Sequence, residues 1–195
     1  NVISQFRHTE RRYPCAEPTL LDVASGSRHK NIPRLLEAFA ELRRDIPNAQ
    51  LRLIGPSLGP TSAMAQLMRR MGLEGVTFLG PRPRSEIGKE MQRAWLLTHL
   101  SLEESFSLVA LEAHFSGLPV MAGLDSGGIT EVLDYGRAGL LVDARDPRAI
   151  STAIRSAITD GPPIQSPEVR DWVKETYAPD VVGSAYLTWY RESLR

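Results

Sequence analysis

An α/β fold is what this sequence predicts: a Rossmann-like parallel sheet of about six strands with helices on both faces. Short apolar runs of strand length alternate with segments whose apolar residues fall at helical spacing. The connections between them are short, which implies right-handed βαβ units and a parallel sheet. The 195 residues, 42% hydrophobic and 24% charged, are ordinary for a globular chain that buries a substantial core.

Residues 1–18, with Arg7, Arg11, Arg12, Pro14 and Pro18 and no sustained period, read as a linker. TLLDVAS, residues 19–25, is a short apolar run suited to a buried parallel strand. Ile32, Leu35, Leu36, Phe39 and Ile46 then mark a helix, with Asn31 at its N-cap and Pro33 in its first turn. A second strand, 51–54, is closed by Gly55-Pro56. A helix over 61–72 stops at Gly72. Strand 76–79, a helix over 85–94 and strand 95–101 follow. The helix after Glu104 ends near Gly117, a fifth strand covers 119–122, a sixth covers 139–142, and 147–159 is helical. Residues 166–194 read as two helices anchored by Trp172, Trp189 and Tyr190. Gly161-Pro162-Pro163 is the one internal break strong enough to mark a subdomain edge, so the domain proper spans 19–160 and the C-terminal helices 161–195.

The formal net charge is zero, from 23 basic and 23 acidic residues, which argues against a broad nucleic-acid or membrane surface. Cys15 is the single cysteine, so an internal disulfide and a cysteine metal cluster are both excluded. No apolar run of about 18 residues spans a membrane. The lack of a signal peptide favours the cytoplasm.

Glu104 and Glu112 hold the most chemical information. In SLEESFSLVALEAHFSGLPV an apolar strand breaks into the turn Glu104-Ser105-Phe106-Ser107, which opens a helix. The first free N–H groups of that helix favour an anion, and those of Ser107 and Leu108 are placed to bind phosphate. Glu112 follows roughly 7–8 Å further along the axis. A nucleotide sugar suits this layout, with its diphosphate on the helix end and its sugar and ribose hydroxyls on the two carboxylates, which accept charge-assisted bonds. Lys30 follows a strand end, as Glu104 does, and ligands in such folds bind outside those ends. Glu104 also reads as a simple helix cap and Lys30 as a solvated surface lysine. Glu112 interrupts the apolar run Leu108-Val109-Ala110-Leu111, and a buried acid is costly without partners. Glu103 is no substitute for Glu104, because eight residues beyond it stands Leu111. Gly127-Gly128 is either a second anion nest or a tight turn. His29, His99 and His114 have no metal-ligand spacing and read as structural or surface residues. Gly55-Pro56-Ser57-Leu58-Gly59 lacks the G-x-G-x-x-G spacing of a nicotinamide site.

Across about residues 20–160 the chain resembles the C-terminal donor-binding domain of the retaining family-four (group 1) glycosyltransferases, which have the GT-B fold. Glu104-Ser105-Phe106-Ser107 with Leu111-Glu112-Ala113 is similar to that family's E-x-F-G…E-A signature. Gly117-Leu118-Pro119-Val120 matches its G-x-P-V strand entry. Ser126-Gly127-Gly128-Ile129-Thr130-Glu131-Val132 and Gly139-Leu140-Leu141-Val142 match its G-G-x-x-E-V and G-L-L-V segments. Lys30-Asn31 before LLEAF resembles its K-G or K-N phosphate-binding turn.

The resemblance implies a donor domain for a GDP- or UDP-hexose in an enzyme of polysaccharide or lipid-linked saccharide synthesis, with no cofactor. Glu104 would hold the transferred sugar, Lys30 the diphosphate, Glu112 the ribose, and Phe106, Ser107 and Leu108 the loop and helix end around the phosphates. Arg28 stands in for the arginine the family places before its lysine, and Arg82 lies where the family meets the base; both also read as loop arginines. Ser107 replaces the family's usual glycine and narrows the phosphate approach. No D-x-D pair is present, consistent with a metal-independent enzyme. Asn1-Val2-Ile3 and Phe6 resemble the interdomain linker, so the acceptor-binding half is expected to be missing and peripheral attachment to the inner membrane would come through it. Two rivals are a GT-B epimerase acting on UDP-sugars and a stand-alone nucleotide-binding module.

Overall fold

The computed structural model describes residues 15–160 and 165–194. The predicted linker before Cys15 and the Gly161-Pro162-Pro163 break lie outside the described residues. Six strands form one parallel sheet: β1 (Thr19–Val23), β2 (Gln50–Ile54), β3 (Val76–Gly80), β4 (Leu96–His99), β5 (Val120–Gly123) and β6 (Leu140–Val142). Their spatial order is β3-β2-β1-β4-β5-β6. The order reverses between β1 and β4, which pair as Leu20↔Leu96 and Leu21↔Leu97. A crevice opens outside the carboxyl ends of the strands at such a reversal.

Alternation along the strands divides the apolar residues between two cores, because successive side chains point to opposite faces. Leu20, Leu51, Leu53, Leu96 and Met121 meet α1 (Ile32–Asp45), α2 (Ala63–Arg70) and α6 (Pro147–Ile158) on one face. Leu21, Ile54, Leu97, Val120 and Ala122 meet α3 (Arg84–Arg93), α4 (Leu108–Phe115), α5 (Ile129–Val132) and α7 (Pro167–Tyr177) on the other. The Rossmann-like sheet with helices on both faces is as expected. Two strands are shorter than the expected 19–25 and 95–101: β1 stops at Val23, and β4 runs from Leu96 to His99.

The C-terminal anchors need correction. Trp172 is partly buried against the second core and meets Tyr177 edge-on at 5.5 Å. Trp189 and Tyr190, on α8 (Pro179–Ser193), are 60% and 58% exposed and pack edge-on against each other. No residue of α8 is buried. Its aromatic residues sit at helical spacing on a helix that no described element covers, so their pattern marks an apolar face but not a buried one.

Candidate functional site

Lys30 and Glu104 meet at the β1/β4 reversal. Lys30 ends a short 3-10 turn, Arg28–Lys30, which Asn31 closes in the left-handed conformation at φ 59°. Asn31 is the N-cap of α1, but its side chain does not cap; its amide donates to the Ala144 carbonyl at 2.7 Å. The Lys30 Nζ donates to Glu104 Oε2 at 2.5 Å. A cleft of ≈ 570 Å³ opens there, its wall including Lys30, Glu103, Glu104, Ser105, Asp125 and Gly127.

Beneath Glu104 lies His99, the last residue of β4, with Nε2 3.1 Å from Glu104 Oε2. On its other side Nδ1 lies 3.7 Å from Asp22 Oδ1 in β1. That is an ion-pair distance but too long for a hydrogen bond, and neither atom has a hydrogen-bond partner. The contact with His99, then Lys30, outweighs partial burial and holds Glu104 at about 2. Burial disfavours the His99 cation, yet the carboxylates of Asp22 and Glu104 on either side prevail and raise its pKa. Burial pushes Asp22 up, opposed by His99 and Lys30. Lys30, Glu104, His99 and Asp22 thus form a chain of alternating base and acid running from the cleft into the sheet.

The Glu104 loop is clamped by backbone. Glu104 N–H donates to the Ser126 carbonyl and Gly128 N–H to the Glu104 carbonyl, each at 2.8 Å. A Cβ at Gly128 would stand 1.9 Å from the Ser105 carbonyl oxygen, so only glycine permits this approach. Gly127-Gly128 is therefore a close-approach strap for the Glu104 loop, with the Gly128 N–H already used. At the end of the loop, Ser107 has φ 73° and ψ 84°, and its hydroxyl caps α4 by accepting from Ala110 N–H at 3.3 Å. Among the described residues, no backbone acceptor takes the N–H of Ser107 or Leu108.

Glu112, in the second turn of α4, has a side chain only 8% exposed. Burial raises its pKa, and Arg84 opposes the shift. Arg84 Nη2, at the start of α3, lies 4.0 Å from its Oε1. Arg82, the predicted neighbour of a base, lies 3.4 Å from Glu86 on its own segment. Arg28 is exposed and does not wall the cleft. The Phe106 ring turns to Tyr177 of α7, edge-on at 5.7 Å. Leu108 is half-exposed at the first position of α4. His114 is buried, its Nδ1 2.7 Å from Gln165 Nε2, and burial lowers its pKa to about 4.

Three residues of this arrangement escaped the sequence reading: Asp22, His99 and Arg84. His99 does not belong with the merely structural histidines, because it contacts Glu104. Asp22 in TLLDV and His99 in LLTH are the ionisable residues of strands otherwise made of leucine, valine and threonine. Buried polar groups need partners, and that was the available signal. Arg84 carried none, since α3 is polar over most of its length. Among the described residues no group of three His, Cys, Asp or Glu side chains is placed to hold a metal ion. Among the described residues no helix is long and apolar enough to cross a membrane.

Comparison with known proteins gives a consistent result. The sequence profile of the group 1 glycosyl transferases matches residues 8–178. D-inositol 3-phosphate glycosyltransferase from Nocardioides sp. is 38% identical over 139 residues, covering 64% of this chain and 30% of the relative. The protein of the same name from Corynebacterium diphtheriae is 38% identical over 135 residues, covering 66% and 31%. The chain thus spans about a third of the length of these relatives. Among solved structures, sucrose-phosphate synthase from Thermosynechococcus elongatus superposes with a TM-score of 0.79 at 27% identity, over 93% of this chain and 46% of that one. Anabaena HepE, solved in complex with UDP and glucose, superposes with a TM-score of 0.75 at 25% identity, over 91% and 48%.

Proposed function

This chain belongs to the group 1 glycosyl transferases, and from that premise we propose that it is the donor-binding half of a retaining enzyme that transfers a hexose from a nucleotide sugar to a saccharide or lipid-linked acceptor. The observation that carries the reading is the convergence of Lys30 and Glu104 on one cleft whose wall runs to Ser105, two residues before the N-cap of α4. The diphosphate lies across the Ser107 and Leu108 N–H groups, which the helix dipole favours, and takes the Lys30 ammonium. As the donor bond breaks, these groups stabilise the charge that develops on the departing diphosphate. Glu104, held ionised, accepts from hydroxyls of the transferred sugar. Glu112 accepts from the ribose hydroxyls, which supply partners that a buried carboxylate otherwise lacks, and Arg84 favours its ionised form. HepE in complex with UDP and glucose supports a UDP-sugar as the first donor to test. The acceptor half lies outside this chain, and the uncovered apolar face of α8 is the surface we assign to contact with it.

Calorimetry with UDP and UDP-glucose tests the assignment. Glu112→Ala weakens both ligands. Glu104→Ala spares UDP and weakens UDP-glucose. Lys30→Ala weakens UDP by about 1.5–3 kcal/mol, the worth of a charge-assisted contact, while sparing uridine. Indistinguishable profiles for the two glutamate variants would remove the division of roles.

A further inference from the structure

We propose that His99, backed by Asp22, is the positioning residue that fixes Glu104 toward the transferred sugar, so that Lys30 is free to leave Glu104 for the diphosphate. The inference rests on the donor-site reading and extends it to residues outside the family signature. In the structure one Glu104 oxygen meets both basic side chains, Lys30 at 2.5 Å and His99 at 3.1 Å. The two are not equivalent. Lys30 stands on a long flexible stem at the cleft wall. His99 closes a buried strand and its side chain is 3% exposed. A diphosphate entering the cleft carries more negative charge than one carboxylate and competes for the single ammonium. Were Lys30 the sole restraint, Glu104 would be loosened at the moment the sugar must be held, and orientation is a large part of reaching the transition state.

An imidazolium solves this because its two N–H groups point to opposite sides, one to Glu104 at hydrogen-bond distance and one toward Asp22 at the longer distance of an ion pair. Asp22 makes sense only in this light: a carboxylate 1% exposed at a strand end, whose Oδ1 has no hydrogen-bond partner, is costly unless it holds a cation in place. The groups that face His99 are Asp22 from β1, Glu104 and Ser101 from the loop after β4, and Lys30 by charge from the turn after β1. The raised pKa of His99 agrees with an imidazole held as a cation between two acids.

Two measurements on the intact chain test this. In ligand-free protein, ¹⁵N NMR of the His99 ring follows its titration; Glu104→Gln is expected to lower the midpoint by at least about one pH unit. In calorimetry with UDP and UDP-glucose, and with GDP and GDP-mannose as a second pair, His99→Phe is expected to weaken the sugar nucleotide about tenfold and the free diphosphate less than about twofold. His99→Gln, which keeps one donor for Glu104, recovers part of the loss. If His99→Phe does not fold, His99→Gln and the NMR titration decide between them. An unmoved His99 midpoint in Glu104→Gln overturns the proposal, as does equal loss, or no loss, for both members of a ligand pair. Wild-type protein that binds neither pair overturns the donor-site reading and this one with it. Wild-type binding with an unaltered sugar-nucleotide affinity in the His99 variants overturns the positioning role alone.

Discussion

Replacing Ser107 by glycine is expected to hold or raise stability while alanine lowers it, although alanine is the smaller change in backbone freedom. Ser107 sits at φ 73° and ψ 84°, where a Cβ costs about 1–2 kcal/mol through its approach to the following carbonyl. Ser107→Gly removes that strain. It gives up a hydroxyl cap whose contact with Ala110 N–H is long at 3.3 Å, a change to glycine that costs a few tenths of a kcal/mol, about 0.3. It also adds unfolded-state entropy worth about 0.5–1 kcal/mol. The balance lies between about zero and 1 kcal/mol of stabilisation. Ser107→Ala keeps the strained backbone and loses the cap, a loss of about 1 kcal/mol. The glycine variant should therefore exceed the alanine variant by about 1–2 kcal/mol, or about 2–8 °C in Tm for a chain of this size. Thermal unfolding by circular dichroism at neutral pH reads this directly. Calorimetry with UDP should show tighter binding by the glycine variant, because the side chain no longer narrows the approach to the α4 N–H groups. An alanine variant as stable as the glycine variant would refute the strain argument and place the stabilising role of Ser107 in its hydroxyl alone.

The strap beneath Glu104 predicts that Gly128→Ala destabilises by about 1–3 kcal/mol through overpacking, because the new Cβ would stand 1.9 Å from the Ser105 carbonyl oxygen. Gly59→Ala, with open space around the position, is the control expected to leave Tm nearly unchanged, and the variant that shifts the Glu104 loop should lose UDP-glucose affinity too. For pH, the Glu104 carboxyl is held at about 2 in the fold against an ordinary 4.5. A depressed carboxyl contributes stability that is present above its ordinary value and lost as the pH falls through its folded one. The stability gap between wild type and Glu104→Gln should therefore close as denaturant midpoints are measured from pH 4.5 down to about 2; a gap that stays constant over that range would show that Glu104 gains nothing from His99 and Lys30.

Element order was legible in the chain because it depends on local periodicity. The alternation of Leu20 with Leu21 and of Leu53 with Ile54 divides the apolar residues between two faces whatever the neighbours are, and Asn31 and Pro33 mark the start of α1 within a few residues of sequence. Lys30 and Glu104 were legible for a related reason: each follows the end of a strand, and parallel connections bring such ends to one edge of the sheet. The partners of a buried charge depend instead on residues distant in sequence. Asp22, His99 and Lys30 come together only because β1 and β4 become neighbours at the reversal of strand order, a pairing that no local pattern specifies. The same limit explains Arg84, which approaches Glu112 across the gap between α3 and α4 while Arg82 turns to Glu86, and Gly128, whose need for glycine arises from a carbonyl in a different loop. It explains Trp189 and Tyr190 as well, since an amphipathic helix declares an apolar face but not what covers it. Periodicity acts through bonds along the chain and so is written in the chain. Electrostatic pairing and close packing act through space, and only the folded backbone decides which charges and which surfaces meet.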